Sequence, residues 1–551
     1  MRVRNATLFT LALIVSLLAA GCRVRSNGIP SNAAVVSVTA NPSLAQWLDA
    51  AVAKINQSGP KTASGKPVYA QVQYVEAGQA VADMTVSGAT LPALWIPDDA
   101  VWPGVLAKRG STDFQANCQS VARSPLVIAM WRPIAESLGW PGRSLGWLDV
   151  GSVAADPSSW AYYSGGKYGQ TLRVGHTHPG LSASGASTLL AVVQAAHSST
   201  QAVSVEDIRT PIVQASVAAF EGTVSIFSPS TEQLGQTMHQ RGIDYVGAAV
   251  MYESTLINNG GGGADGLVAV YPFEGTFMAT HPACINGGAD AETQEAARLL
   301  RDALLKADVQ QLAINHGLRP ADASATLGSP IDAAHGADPA QPKVIFNSPS
   351  VDALFAVRDL WQAARKNVNM VMLLDTSGSM RGDKIDSLRD AAVQFVKQMG
   401  DEDYLTLVAF SSRPNTLIDH AKVGTARDEA IRQIQGLQAR GDTSLYDAIG
   451  SATEMIKRTT GSQTTNALVV LTDGLDTSSR RYVFDQALID AAAANNTTVF
   501  TIAYGDDADK ELLQRLASQA RGNFYLGNEA NIASIYQEMS AAFGGSVGIG
   551  R

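Results

Sequence analysis

The sequence predicts an α/β protein built as two successive blocks, and three observations carry that prediction. At 551 residues the chain exceeds what one ordinary hydrophobic core holds. Its composition, 46% apolar and 17% charged, is that of a folded protein rather than a disordered or fibrous one. Apolar strand-like runs also alternate with runs of helical periodicity. The later strands, NMVMLL (Asn369–Leu374) and ALVVL (Ala467–Leu471), are apolar without interruption, as in a parallel sheet covered on both faces.

The N-terminal residues 1–22 read as a targeting segment and stand outside the fold argument. Arg2 and Arg4 supply positive charge, Leu8–Leu18 is an apolar stretch, and Ala19-Ala20-Gly21 precede Cys22. Small residues followed directly by Cys resemble a bacterial lipoprotein signal, although Ala19 stands where that motif usually has Leu. The resemblance implies lipidation of Cys22 and an anchor on the extracytoplasmic face of a bacterial membrane. An uncleaved membrane anchor and a plain secretory signal are the alternatives; the apolar run is short for a spanning helix of about 20 residues. All three readings place the remainder outside the cytoplasm. In that setting Cys118 and Cys284 are either a disulfide or two buried thiols.

Residues 23–33 (RVRSNGIPSNA) are polar and turn-rich, a tether. The first block spans residues 34–366. It opens with the strand Ala34–Thr39, an Asn41-Pro42-Ser43 cap and a helix with Leu44, Trp47, Leu48, Ala51 and Ile55 on one face. Strands at Val68–Val75 and Ala93–Ile96 flank a helical Gly78–Met84. The Pro/Ala/Gly-rich stretch Pro320–Lys343 reads as a surface loop inside this block, because the amphipathic helix Val351–Ala364 follows it.

The second block covers residues 367–545, with 546–551 as a tail. Predicted strands are Val368–Leu374, Tyr404–Phe410, Ala467–Leu471 and Thr498–Ala503. Predicted helices are Lys384–Met399, Ala426–Gln438, Leu445–Arg458, Val483–Asn495, Lys510–Gln519 and Ile532–Ala542. Ligands of open parallel sheets sit beyond the carboxyl ends of the strands. There the sequence places Asp375-Thr376-Ser377-Gly378-Ser379, Gly441-Asp442-Thr443 and Thr472-Asp473-Gly474. Asp375, Ser377 and Ser379 are spaced by two, so an extended loop turns their oxygens to one side. Carboxylate and hydroxyl oxygens suit a hard divalent cation, Mg²⁺ first, with Mn²⁺ or Ca²⁺ as alternatives. A helix-capping turn is the competing reading of DTSGS alone.

On these three fragments the second block resembles a von Willebrand factor A domain with a metal-ion-dependent adhesion site. The resemblance implies a doubly wound, Rossmann-like parallel sheet. It also implies that Asp375, Ser377, Ser379 and Thr443 take a metal, that Asp473 acts directly or through water, and that a protein partner offers a carboxylate to the ion.

The first block resembles the two-lobed periplasmic solute-binding proteins of ABC transporters. The resemblance rests on the ordered phrases at Val36–Asn56, Leu91–Trp102, Ala122–Pro133, Gly175–Leu190 and Val268–Pro282. It implies a second lobe near Leu126–Asn259 and a mobile loop at Gly260–Gly263. Candidate contacts to a small solute or oxyanion are Ser43, at a helix N-terminus, with Ser124, Ser182, Ser184 and Tyr252; ordinary capping and turn chemistry is the alternative for each.

Other classes are disfavoured. A net charge of −9 and the lack of a basic, aromatic-interleaved stripe argue against nucleic-acid binding. No HExxH, P-loop or GxSxG motif is present, and His176/His178 read as loop residues, so an enzyme is not expected. The expectation is a cell-surface lipoprotein that binds a protein partner through Mg²⁺ and carries a solute-binding-like module. The rival is the substrate-binding component of an ABC transporter, with the A domain mediating assembly.

Overall fold

The computed structural model describes residues 29–461 and 464–545. The targeting segment with Cys22, and the tail 546–551, lie outside the described residues. Among those described, no helix is long and apolar enough to cross a membrane.

The first block folds as two lobes. In the first lobe Ala34–Ala40 pairs in parallel with Val68–Tyr74 on one side and Leu94–Ile96 on the other. Pro282–Ile285 joins antiparallel, and Cys118–Ser120 closes the edge. Asn41 Oδ1 accepts from Ser43 N at 2.8 Å, and a short 3₁₀ turn at Pro42–Leu44 leads into helix Ala45–Ser58. Trp47, Leu48, Ala51 and Ile55 are buried, as the helical spacing predicts.

The second lobe begins earlier and ends later than expected. Its central strand is Ala122–Trp131, its other main strands are Val174–Thr177, Val224–Ser228, Ala248–Tyr252 and Leu267–Val270, and it closes at Met278–Ala279. The apolar run of Ala122–Trp131 therefore starts directly after the edge strand of the first lobe. Gly260–Gly263, expected to be mobile, is instead a pinned turn. Gly262 N donates to Leu267 O at 2.8 Å, and Gly262 has φ +90°, with room only for hydrogen because a Cβ would lie 1.9 Å from Ala334 O. His176 also departs from expectation: it lies in strand Val174–Thr177, buried, 2.9 Å from Glu221 Oε1.

Cys118 and Cys284 form a disulfide between neighbouring strands, Cα atoms 4.0 Å apart. It ties the outgoing crossing into the second lobe to the returning one.

The second block is a six-stranded sheet with Asn367–Asp375 at its centre, flanked in parallel by Tyr404–Phe410 and Thr464–Thr472. Thr498–Tyr504 and Phe524–Gly527 extend it in parallel. One edge departs from the all-parallel expectation: Pro414–Lys422 pairs antiparallel with Tyr404–Phe410. Alternate central residues serve opposite layers. Met370, Met372 and Leu374 pack with Leu388 and Met539, while Val371 and Leu373 pack with Ile449, Ile489 and Leu513. This is a doubly wound sheet.

The two blocks are tightly joined. Helix Val351–Ala364 buries Val357 and Trp361 in the second-lobe core, and strand Asn367–Asp375 starts three residues after it ends. Between them the Arg365 guanidinium grips both Asp403 oxygens at 3.0 and 2.9 Å, and Val368 N donates to Asp403 Oδ1 at 2.9 Å. The last helix, Ile532–Ala542, touches both lobes. Gln537 Nε2 donates to Gln79 Oε1 at 2.8 Å, Gln233 Nε2 donates to Glu538 Oε1 at 2.6 Å, and Ala541 packs on Leu181. His178 completes the seam: its Nδ1 accepts from Gly180 N at 3.0 Å and its Nε2 meets Gly545 O at 2.7 Å. Burial pushes this imidazole down to about 3, which keeps it neutral.

Candidate metal centre and the interlobe cleft

The register of the central strands sets the metal centre. Asp375 ends one strand, and the neighbouring strand, in register through Leu374 and Leu471, runs on through Thr472 to Asp473. Asp375 Oδ2 accepts from Thr472 Oγ1 at 2.6 Å, and its Oδ1 accepts from Ser377 N at 2.8 Å. These bonds fix the carboxylate. Burial nonetheless raises Asp375 to about 6.

The other four predicted residues converge on the same spot. Ser377 Oγ and Ser379 Oγ lie 3.0 Å apart, and Ser379 Oγ donates to Asp473 Oδ1 at 2.6 Å. A Cβ placed on Gly474 would sit 3.7 Å from Thr443 Oγ1 and 3.9 Å from Ser379 Oγ, so both hydroxyls face one small space. The second loop is held against the first by Gly378 N donating to Gly441 O at 2.9 Å and Arg440 N donating to Thr376 O at 2.8 Å. The two Arg-Gly-Asp triplets, Arg381–Asp383 and Arg440–Asp442, are part of these rim turns, with Gly382 at φ +79° and Gly441 at φ +83°.

Two residues of the centre were not anticipated. Thr472 positions Asp375, and Lys384 places its ammonium 2.6 Å from Asp473 Oδ2. Lys384 opens the helix Asp383–Gln398, and nothing in its sequence spacing marks it as part of the centre.

The residues fit a hard divalent ion. The donor set is two carboxylates and three hydroxyls, and among the described residues nothing hydrogen-bonds to Thr443 Oγ1.

The interlobe cleft has a different chemistry from the one predicted. Ser43 Oγ bonds to Asn41 Oδ1 at 2.6 Å, Ser124 Oγ donates to Ser254 Oγ at 3.2 Å, and Ser182 and Ser184 bond each other at 2.9 Å. Tyr252 donates to Asp98 Oδ1 at 2.6 Å across the lobes. The five candidates thus spend their hydroxyls within the protein, and two buried acids line the cleft beside them. Asn41 Nδ2 donates to Glu76 Oε2 at 3.1 Å and to Asp98 Oδ2 at 2.9 Å. Burial raises Asp98 to about 7, and burial followed by the charge of Asp98 raises Glu76 well above the carboxylate range. The Asp98 carbonyl also accepts from Thr280 N and His281 N, at 2.9 and 3.0 Å, on the returning crossing. Raised in this way, the two buried acids are held toward their neutral, protonated forms.

Comparison with known proteins places these two geometries. Residues 36–319 match the family model described as bacterial extracellular solute-binding protein, over half of the chain, and the chain belongs to that family. Residues 369–538 match the von Willebrand factor type A domain. Relatives of this second region include inter-alpha-trypsin inhibitor heavy chain H3 of Rattus norvegicus, 26% identical over 185 residues, covering 31% of this chain and 21% of that protein. Heavy chain H4 of Sus scrofa is 28% identical over 170 residues, covering 30% and 18%. The chain thus spans about a fifth of the length of these relatives. Among solved structures, a von Willebrand factor type A protein from Catenulispora acidiphila is 21% identical with TM-score 0.30, covering 32% of this chain and 42% of that one. Proximal thread matrix protein 1 from the mussel byssus, solved with zinc occupying its metal-site motif, is 16% identical with TM-score 0.27, covering 31% and 46%.

Proposed function

We propose that this chain is a lipid-anchored protein of the bacterial cell surface that captures a protein partner through a Mg²⁺-dependent site in its A domain. The observation that carries the reading is the convergence of Ser377, Ser379, Thr443 and Asp473 beside Asp375, with Thr443 Oγ1 uncommitted. Asp375, Ser377, Ser379, Thr443 and Asp473 would hold the ion, Mg²⁺ or in its place Mn²⁺ or Ca²⁺. Bound there among neutral hydroxyls, it supplies a hard Lewis-acid centre for a carboxylate of the partner. Leu475, 57% exposed two residues from Asp473, offers apolar contact beside that point. The solute-binding-like block then acts as a rigid platform: Asn41 and Tyr252 bond its cleft acids, and the helix Ile532–Ala542 spans its lobes. On this reading the A domain binds its partner and does no catalysis.

The test is capture of envelope proteins by the immobilised intact chain, with Mg²⁺ or with EDTA, beside Asp375→Ala. Retention that EDTA and Asp375→Ala both abolish supports the reading; retention indifferent to both refutes it. Membership of the solute-binding family favours a second reading, delivery of a solute to an ABC permease. Saturable calorimetric binding of a small solute that survives Asp375→Ala but fails in Tyr252→Phe would favour that reading.

A further inference from the structure

At the pole of the A domain away from the metal centre, the amino ends of its strands face the second lobe across a cavity of about 980 Å³. Three cationic side chains line it: Arg173 from the second lobe, Lys366 from the junction and Arg521 from the A domain. One carboxylate, Asp244, also lines it. Among the described residues no carboxylate or carbonyl accepts a hydrogen bond from the Arg173 guanidinium or the Lys366 ammonium. Arg521 makes only a long contact, 3.4 Å, with Asn496 Oδ1. Burial, and then the charge of Arg521, push Arg173 down to about 10, and burial lowers Lys366. Concentrating like charge in a partly desolvated space is unfavourable unless an anion completes it. The remaining wall is neutral and polar, with Thr464, Asn466 and Asn496 among its side chains. Its volume lies within the roughly 300–1,000 Å³ of small-molecule sites.

We propose that this interdomain cavity is a binding site for a soluble multivalent oxyanion, a phosphate- or sulfate-bearing small molecule held by Arg173, Lys366 and Arg521 together. Because its walls come from both blocks, such a ligand also fastens the A domain to the second lobe. The site is separate from both the metal centre and the interlobe cleft. Guanidinium groups bind phosphate and sulfate oxygens bidentately, which favours these over a simple halide.

The experiment is calorimetric titration of the intact chain with inorganic pyrophosphate and with sulfate, at constant ionic strength. Saturable binding of either is expected, tightest for the anion of higher charge. It should weaken at least tenfold in Arg173→Gln and in Lys366→Gln, and stay unchanged in Asp375→Ala and in the remote surface variant Lys61→Gln. Asn496→Asp, a single-atom exchange at an exposed position, keeps the fold and should also weaken binding by adding negative charge to the wall. Thermal unfolding with pyrophosphate should rise for the parent chain and not for Arg173→Gln. Absence of saturable binding up to millimolar anion overturns the proposal. So does an equal loss in Lys61→Gln, which would mean diffuse attraction, or full retention in both Arg173→Gln and Asn496→Asp.

Discussion

The metal centre and the interlobe cleft both place carboxylates at the carboxyl ends of parallel strands, yet they differ in how those groups are bonded. Around Asp375 and Asp473 a hydroxyl, Thr443 Oγ1, is left without a partner, and Ser379 at the rim is exposed. Around Glu76 and Asp98 Asn41 and Tyr252 take up three of the four oxygens, leaving only Glu76 Oε1 buried and unbonded. A free hydroxyl at an exposed rim leaves room for a ligand; acids bonded from both lobes hold those lobes together. The cleft acids thus hold the two lobes together through Asn41 and Tyr252, while the rim of the smaller block leaves a hydroxyl open.

The strongest way to break this contrast is Asp375→Ala. Mn²⁺ titration should show binding by the parent chain and none in the variant at millimolar metal. The parent's thermal transition should rise with metal, by about 2.7 kcal/mol of stabilisation at a hundredfold excess over Kd, and the variant's should not. A metal-dependent rise that persists in Asp375→Ala would place the ion elsewhere.

Next in size is the clasp itself. Burial holds the folded-state value of Asp98 at about 7, above the ordinary carboxylate value of 3.8. Its stabilising contribution is therefore complete below about pH 4 and is lost as pH rises through about 7. His178 and His281 slope the other way: burial holds both at about 3, so their contribution is complete above about pH 6.5 and is lost as pH falls toward 3. The difference between Asp98→Asn and the parent isolates the first slope. The variant should gain stability relative to the parent between pH 5 and pH 8, on the order of 2–4 kcal/mol. Equal differences at the two pH values would show that Asp98 is not the locked acid.

A smaller effect sharpens the metal centre. The Lys384 ammonium sits on Asp473 Oδ2 and competes electrostatically with an incoming cation. Lys384→Met should tighten Mn²⁺ binding a few-fold, about 0.5–1 kcal/mol, in the same titration. A weaker affinity would make Lys384 a support of the site instead. Gln537→Ala, which removes one hydrogen bond between the last helix and the first lobe, should cost no more than about 0.5–1.5 kcal/mol in urea unfolding.

These two regions were not equally legible in the sequence. Asp375, Ser377, Ser379, Thr443 and Asp473 stand in three short polar fragments, two of them directly after apolar strands, so strand ends and loop spacing were enough to bring them together. Thr472 stands in one of those fragments, but only the register of Asn367–Asp375 against Thr464–Thr472 sets it on Asp375; Lys384 reads as an ordinary helix residue, and only the folded contact with Asp473 reveals it. The edge strand Pro414–Lys422 escaped for a related reason: with no fully buried residue along its length, it carries no apolar run. The rule that found Asp375 also applied to the cleft, since Asp98 follows the strand Leu94–Ile96 and Glu76 follows Val68–Tyr74. An anionic solute directs attention to hydroxyls there instead. These two acids, each at a strand end, stand in the sequence where the same rule points.

The Cys118–Cys284 bond encloses 166 residues of sequence separation, and nearly all of the second lobe lies inside that span. The lobe is in effect a loop hung from a covalent ring at the rim of the first. A protease that nicks the chain anywhere between these cysteines leaves both pieces attached. The damage surfaces as two fragments on a gel only after a thiol reductant opens the ring.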